Sequence, residues 1–255
     1  VTRLAGIAAP LTGIVLLLVL WEGVSRGLHV PEYLLPPPSA IGQAVADTLP
    51  NVLRHTGATL RTVLLGFAAS VAISLPLAIL IASSRTIASA IYPLLVLTQS
   101  VPKVALAPIL LVGLGSSELP RVIVTVLVAF FPLVVSSVAG LLATPEDLLE
   151  LARSCRATRA QELFRIRLPF AVPFIFAGLK VAVALSVVGA VVAEFVGAEQ
   201  GLGYLIQTSM AFFKVPLAFG AVAILAILGI VLFELVNLAE RLLFPWAGTA
   251  ARPPA

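Results

Sequence analysis

Three charged side chains stand where charge is expensive. Lys103, Lys180 and Glu194 fall inside long apolar stretches of a chain that is 60% hydrophobic and only 11% charged. An ionised group at membrane depth persists when it pairs, reaches an interface, or handles a solute or ion. Lys103 lies in the run QSVPKVALAP, with Gln99 and Pro102 beside it and Pro108 beyond. One reading has it line or gate a path and attract an anionic or electron-rich solute. The other is a structural pairing with a carboxylate, or with carbonyls that the prolines leave without donors. Lys180 either snorkels to an interface or joins a structural ion pair. Glu194 is expected to pair with a Lys or Arg of a neighbouring helix rather than to touch a ligand.

Nothing in the chain assembles for covalent catalysis or metal binding. The two histidines, His29 and His55, are expected outside the spans, and the carboxylates do not converge in sequence. The G-x-x-x-x-G-K-[ST] phosphate loop is absent, and Gly113/Gly115 and Gly201/Gly203 read as turns. The single cysteine, Cys155, leaves no internal disulfide and no cysteine metal cluster, and is expected to pack on an apolar stripe. The net charge of +4 carries no nucleic-acid footprint. The chain is read as not itself an enzyme.

The elements that hold these charges are membrane helices. Soluble domains carry about 25% charged residues, and the mean hydropathy here is +1.12. The pattern predicts an all-α integral membrane protein of one domain, 1–255, with six spans at 8–24, 60–82, 91–114, 122–142, 170–196 and 216–238. The first is read as a span rather than a cleaved leader, since no small-x-small site follows it. Pro36, Pro37 and Pro38 exclude regular helix at that point, and Ser39 is placed to cap a short interfacial helix from Ala40 to about Thr48. Pro102 and Pro108 predict a kinked or broken third span. Phe212 and Phe213 read as interfacial anchors. Glu22 and Glu234 sit near span ends.

One segment breaks the apolar pattern. Residues 144–169 hold four acids, Glu146, Asp147, Glu150 and Glu162, and five arginines, Arg153, Arg156, Arg159, Arg165 and Arg167. Two short helices with a bend are predicted. Thr144 caps the first, with Pro145 at N1, and Leu148, Leu151, Ala152 and Cys155 form its apolar stripe. Thr158 and Gln161 form a capping box for the second, and Pro169 opens the next span.

This segment resembles the EAA loop of permease subunits of binding-protein-dependent ABC importers. Glu150, Leu151 and Ala152, then Ile166, Leu168 and Pro169, stand at the motif's offsets; Arg153, Cys155, Arg156 and Ala157 lie between them. Leu151 replaces the motif's first Ala. Arg156 replaces its Gly, a position where Gly would permit a left-handed turn that Arg resists. LPPPSAI, His55, Thr59-Leu60-Arg61, Gly66-Phe67, Ala193-Glu194-Phe195 and Gly201-Leu202-Gly203-Tyr204-Leu205 look like the nitrate, sulfonate and taurine importer permeases. QSVPKVALAP looks closer to permeases for thiamine-type pyrimidine precursors, riboflavin or aromatic acids.

The resemblance implies a type I ABC importer permease-like fold in the bacterial cytoplasmic (inner) membrane. It implies a second permease subunit, either another copy in a homodimer or a related partner, and two ABC ATPase subunits that grip residues 144–169 and hold ATP and Mg²⁺, no cofactor being bound by this chain. An extracytoplasmic solute-binding protein would deliver a small solute. Arginine-rich loops belong inside, which makes both termini cytoplasmic: Arg3, Arg85, the loop arginines, Arg241 and Arg252 fall on that side, and Arg26, Arg54, Arg61, Arg121 and Lys214 on the other. The rival reading is a secondary transporter or channel with no ATPase partner. Its signature would be paired intramembrane carboxylates or a repeated half, and neither is evident.

Overall fold

The computed structural model describes residues 2–115 and 117–246, with side chains placed for 12–84, 86–115 and 117–246. Among the described residues every regular element is helical. In order they are α1 (Thr2–Gly27), α2 (Pro38–Asp47), α3 (Leu49–Ser83), α4 (Arg85–Ser100), a 3₁₀ turn (Lys103–Ala105), α5 (Leu106–Leu114), α6 (Glu118–Leu142), α7 (Glu146–Ser154), α8 (Arg159–Glu162), a π turn (Leu163–Arg167), α9 (Leu168–Phe195), α10 (Leu202–Ala211) and α11 (Val215–Leu243).

Among the described residues, four continuous helices are long and apolar enough to cross a membrane: Leu49–Ser83, Glu118–Leu142, Arg159–Phe195 and Val215–Leu243. The pair Thr86–Ser100 and Lys103–Leu114 is bent by 71° at its break and makes a fifth if taken as one span. Pro102 accounts for the break, as the N-cap of the 3₁₀ turn that cannot donate into α4, while Pro108 sits in the first turn of α5 and breaks nothing. The first expected span falls on α1, whose side chains up to residue 11 lie outside the described residues, as do Arg3, the side chain of Arg85, and Arg252.

The centre is a three-helix packing of α3, α6 and α9, with α6 against both neighbours. Lipid tails are as apolar as leucine, so close approach and polar contacts, rather than burial alone, hold membrane helices together. Thr125 of α6 shows the approach. A Cβ on Gly66 of α3 would lie 2.3 Å from the Thr125 methyl, and one on Gly189 of α9 would lie 2.9 Å from Thr125 Cα. Ser70, Ser74, Thr125 and Ser186 are fully buried along this seam. Ser70, Thr125 and Ser186 donate to the carbonyl four residues back, while Ser74 reaches across to Phe130 O at 3.2 Å. α11 closes against α9 and α3 through Leu228 and Leu232, which cluster with Val183 and Val187 of α9 and Val63 of α3.

Several boundaries differ from expectation. The helix that holds the second expected span starts earlier, at Leu49, so His55 lies on a helix rather than in a loop and is buried. α2 begins at Pro38 with Pro37 as N-cap, because proline at the first helical position gives up an N–H that has no partner anyway. Ser39 is therefore inside the helix and caps nothing. Its N–H and hydroxyl donate instead to the Glu22 carboxylate at 3.0 and 2.7 Å, and Arg26 donates to Glu22 at 2.5 Å and to Ser39 Oγ at 2.7 Å. Glu22 thus pins the end of α1 to the start of α2.

Candidate functional site

The charged segment leaves the bundle at one end and folds into two parts. α7 starts at Glu146, with Pro145 as N-cap. Thr144 does not cap it: the Thr144 side chain is buried, and its hydroxyl turns back to Leu141 O at 3.5 Å. The apolar stripe splits in two. Leu149 and Ala152 face inward, while Leu148 and Leu151 are 44% and 62% exposed, and Cys155 is exposed rather than packed. The outer face of α7 is thus an uncovered apolar strip beside the exposed Glu150 and Arg153.

α7 ends in a left-handed residue, and that residue is Arg156, with φ +58°. Arg156 N–H donates to Arg153 O and Ala157 N–H to Ala152 O, both at 2.9 Å. These two bonds satisfy carbonyls that the helix end leaves open. The turn expected of glycine is therefore made in full by arginine, against its steric resistance.

The second part starts as predicted. Thr158 Oγ1 accepts from Gln161 N–H and Gln161 Oε1 accepts from Thr158 N–H at 2.8 Å, a complete capping box. It does not then stop at Pro169. The helix runs unbroken from Arg159 to Phe195 through the π turn, with Leu168 N–H reaching five residues back to Leu163 O. The wider π spacing displaces the ordinary ladder where Pro169 lacks a donor, so the proline does not break the helix. Glu162 ties the two parts together. It bonds Arg167 at 2.7 Å and faces Arg153 of α7 at 3.6 Å. The Arg167 hydrogen bonds, then the Arg167 and Arg153 charges, hold the Glu162 carboxyl below its usual range against a smaller opposing effect of burial. Ile166 and Leu168 lie in and just after the π turn, half-buried, and Pro169 is exposed. A cleft of about 430 Å³ separates α7 from the ends of α3 and α6, lined by Ser83, Leu142, Thr144, Glu150, Arg153 and Arg167.

The intramembrane charges do not converge. Lys103 sits in the 3₁₀ turn at the break after α4, and its Nζ donates to Gln99 Oε1. Lys180 pairs with Glu240 of α11 at 2.6 Å. Glu194 lies 14 residues beyond Lys180 on the same helix, roughly 21 Å away at 1.5 Å per residue.

Glu194 has no cationic partner within ion-pair distance among the described residues; the expected Lys or Arg is replaced by a helix N-terminus. It is fully buried. Thr59 Oγ1 donates to both of its oxygens, at 2.8 and 3.0 Å, and Gly203 N–H donates to Oε2 at 2.8 Å. Leu202 N–H donates to Thr59 Oγ1 at 2.7 Å, and Gly201 N–H to His55 Nδ1 at 3.1 Å. Three unsatisfied N–H groups at the start of α10 thus find three acceptors, two of them one turn apart on α3. Because His55 Nδ1 accepts, its proton is carried on Nε2. Gly201 is the N-cap of α10 with φ +125°, and a Cβ there would lie 2.2 Å from Glu194 Cδ. The sequence holds His55, Thr59, Glu194 and the Gly201-Leu202-Gly203 turn in separate motifs and gives no sign that they meet; the four-residue spacing of His55 and Thr59 is the one local hint. Glu240 likewise has no local signature.

Residues 74–248 match the family described as binding-protein-dependent transport system inner membrane component. The formylaminopyrimidine transport permease protein of Halalkalibacterium halodurans is 37% identical over 93% of this chain and 95% of its own. The riboflavin transport system permease protein of Chloroflexus aurantiacus is 35% identical over 93% and 89%. The taurine transport system permease protein of Escherichia coli is 28% identical over 92% and 87%.

Proposed function

Because this chain belongs to the family of inner membrane components of binding-protein-dependent transport systems, and is a membrane permease subunit of an ABC importer, we propose that two copies of it enclose the solute path and that ATPase subunits drive them through α7 and α8. The observation that carries this is the uncovered strip of Leu148, Leu151 and Cys155 on a charged helix outside the bundle. Exposed apolar residues rimmed by charge fit a protein partner.

The force path is short. A partner that seats on α7 moves α8 through the Arg153–Glu162–Arg167 bridge. α8 is continuous with α9, so its displacement is delivered to the bundle core as a rigid-body motion. Glu150, Leu151, Ala152, Arg153, Cys155, Arg156 and Ala157 form the contact and its hinge, and Ile166, Leu168 and Pro169 root it. Gln99, Pro102 and Lys103, at the bent pair, are the favoured path-lining group, since irregular backbone at membrane depth belongs beside protein or water. Lys180 and Glu194 hold the surrounding helices in register. ATP and Mg²⁺ bind the partner, a solute-binding protein delivers cargo from the far side, and both termini face the cytoplasm.

The solute is a small heteroaromatic compound. In support, the pyrimidine and riboflavin permeases share 37% and 35% identity with this chain, against 28% for the taurine permease. Co-purification tests the coupling: the wild-type protein retains an ATPase, and Glu150→Lys or Leu151→Asp loses it while staying folded in the membrane. An intact ATPase complex in both variants would refute the proposed grip.

A further inference from the structure

The break between α4 and α5 leaves polar backbone bare. α4 ends at Ser100, and Val101 and Pro102 are extended, with ψ of 124° and 93°. Pro102 has no N–H to offer Thr98 O. Among the described residues, no backbone donor sits on the carbonyls of Thr98, Gln99 or Ser100. Residues 96–102 are exposed, and Lys103 is half-buried.

Side chains add donors to these acceptors. Lys103 Nζ donates to Gln99 Oε1. An ammonium can only donate, so the Gln99 amide offers its oxygen there and keeps both N–H groups for another partner. Lys103 keeps two of its three protons. The exposed apolar side chains of Leu97, Val101 and Val104 alternate with these groups along the chain. A few fixed polar groups among apolar ones is the make-up of a small-molecule site.

The place is inside the membrane. Thr86 to Ser100 along α4 is about 21 Å at 1.5 Å per residue, within a hydrocarbon core about 30 Å thick. α4 starts beside Ser83, which lines the cleft next to α7. The 3₁₀ turn packs on α6 and α9, so this chain covers one side of the break and leaves the other open. Bare carbonyls at such depth are tolerated against protein or in a watery cavity. A solute path between two copies gives the second.

We propose that residues 98–103 form a solute-recognition site that reads a planar ring edge carrying an N–H donor beside a ring acceptor. This deepens the importer reading above and rests on it; part of the discrimination between solutes then lies in the permease itself. The free carbonyls accept the ring's N–H groups, and Gln99 and Lys103 donate to its ring nitrogen or oxygen. A sulfonate-like anion is the poorer occupant. It would gain one ammonium but meet three carbonyl oxygens at the negative end of the α4 dipole, and it has no donor to give them. Buried acceptors left unpaired by the wrong solute are what make such a site selective.

The test uses the assembled permease–ATPase complex in lipid nanodiscs, without binding protein. Saturation-transfer NMR reads direct binding of millimolar probes. Wild type binds 4-aminopyrimidine about fivefold or more tighter than 4-methylpyrimidine, which has the same ring but no N–H. Methanesulfonate does not compete. Gln99→Glu keeps a partner for Lys103 but removes the amide donors, and Lys103→Met removes the ammonium. Each weakens 4-aminopyrimidine about fivefold or more, at unchanged ATPase content. Aniline, which has the amino donor but no ring nitrogen, binds wild type and variants alike. Gln99→Glu alone decides if Lys103→Met does not fold. Equal binding of the two pyrimidines to wild type, or binding of neither, overturns the proposal. So does unchanged binding in the variants, which would leave the Lys103–Gln99 contact a brace for the break. Displacement of 4-aminopyrimidine by methanesulfonate overturns it too, by making this an anion site. If no ATPase accompanies the wild-type protein, it is the importer reading that fails.

Discussion

Glu194 accepts the backbone N–H of Gly203 at 2.8 Å, a buried carboxylate at the end of α9 capping a helix that begins eight residues later in the chain. The chain leaves α9, reverses through a short loop, and returns the N-terminus of α10 onto the helix it has just left. Removing the acceptor strands a buried N–H and the Thr59 hydroxyl, and unsatisfied buried groups cost about 1–3 kcal/mol. Glu194→Ala should therefore lower thermal stability in detergent by that order. Glu194→Gln keeps an acceptor oxygen and should lose less. Equal melting temperatures for Ala and wild type would show that the contact contributes nothing.

The two glycines of this turn should be less replaceable still. A Cβ on Gly201 would meet the Glu194 carboxyl at 2.2 Å, and one on Gly203 would lie 2.8 Å from Val191 O. Gly201→Ala adds backbone strain at φ +125° to overpacking, together about 2–4 kcal/mol. Gly57→Ala is the control: nothing lies within 4 Å of its Cβ, and alanine in that helix should stabilise by about 0.5–1 kcal/mol. Melting curves of the three variants give the order directly.

Lys180 and Glu240 should behave as a coupled pair. Each is largely buried, and their 2.6 Å contact joins α9 to the last helix. Lys180→Met and Glu240→Leu each leave one charge stranded, whereas the double variant leaves none. A double-mutant cycle should return a coupling of about 1–3 kcal/mol. Additive losses would mean that the two side chains do not depend on each other.

Arg156 holds a backbone shape in which a side chain is a burden. Arg156→Gly should relieve about 1 kcal/mol of left-handed strain and slow amide exchange across residues 150–160. Arg156→Val, branched at Cβ, should speed exchange and uncouple ATP hydrolysis from uptake. Faster exchange in the glycine variant would contradict the geometry.

The Glu162 bridge sets a pH window for the same segment. Its folded carboxyl titrates below its ordinary value of 4.5, chiefly because Arg167 donates to it. A depressed acid stabilises fully above that ordinary value and loses its contribution as pH falls through the lower folded value. Protection of the α7–α8 segment should be flat near neutrality and fall only under acid. Glu162→Gln should remove that acid-dependent component, which hydrogen exchange at several pH values will report.

Much of this protein is written locally. Apolar length determines that helices cross a membrane, because no other local structure satisfies its backbone there. Thr158 and Gln161 announce their capping box, since both partners lie within one turn. Pro102 announces the break beside Lys103, since a missing N–H is a local fact. Other features needed the fold. Arg156 in a left-handed turn contradicts its own preference, and bonds from Arg156 and Ala157 back into α7 close the turn there. The continuity of Arg159–Phe195 past Pro169 depends on a π turn that no propensity signals. The partners of Lys180 and Glu194 come from 60 residues downstream, and from 135 upstream as well as nine downstream. An apolar stretch reveals that a charge needs a partner, but only packing decides which helix brings it.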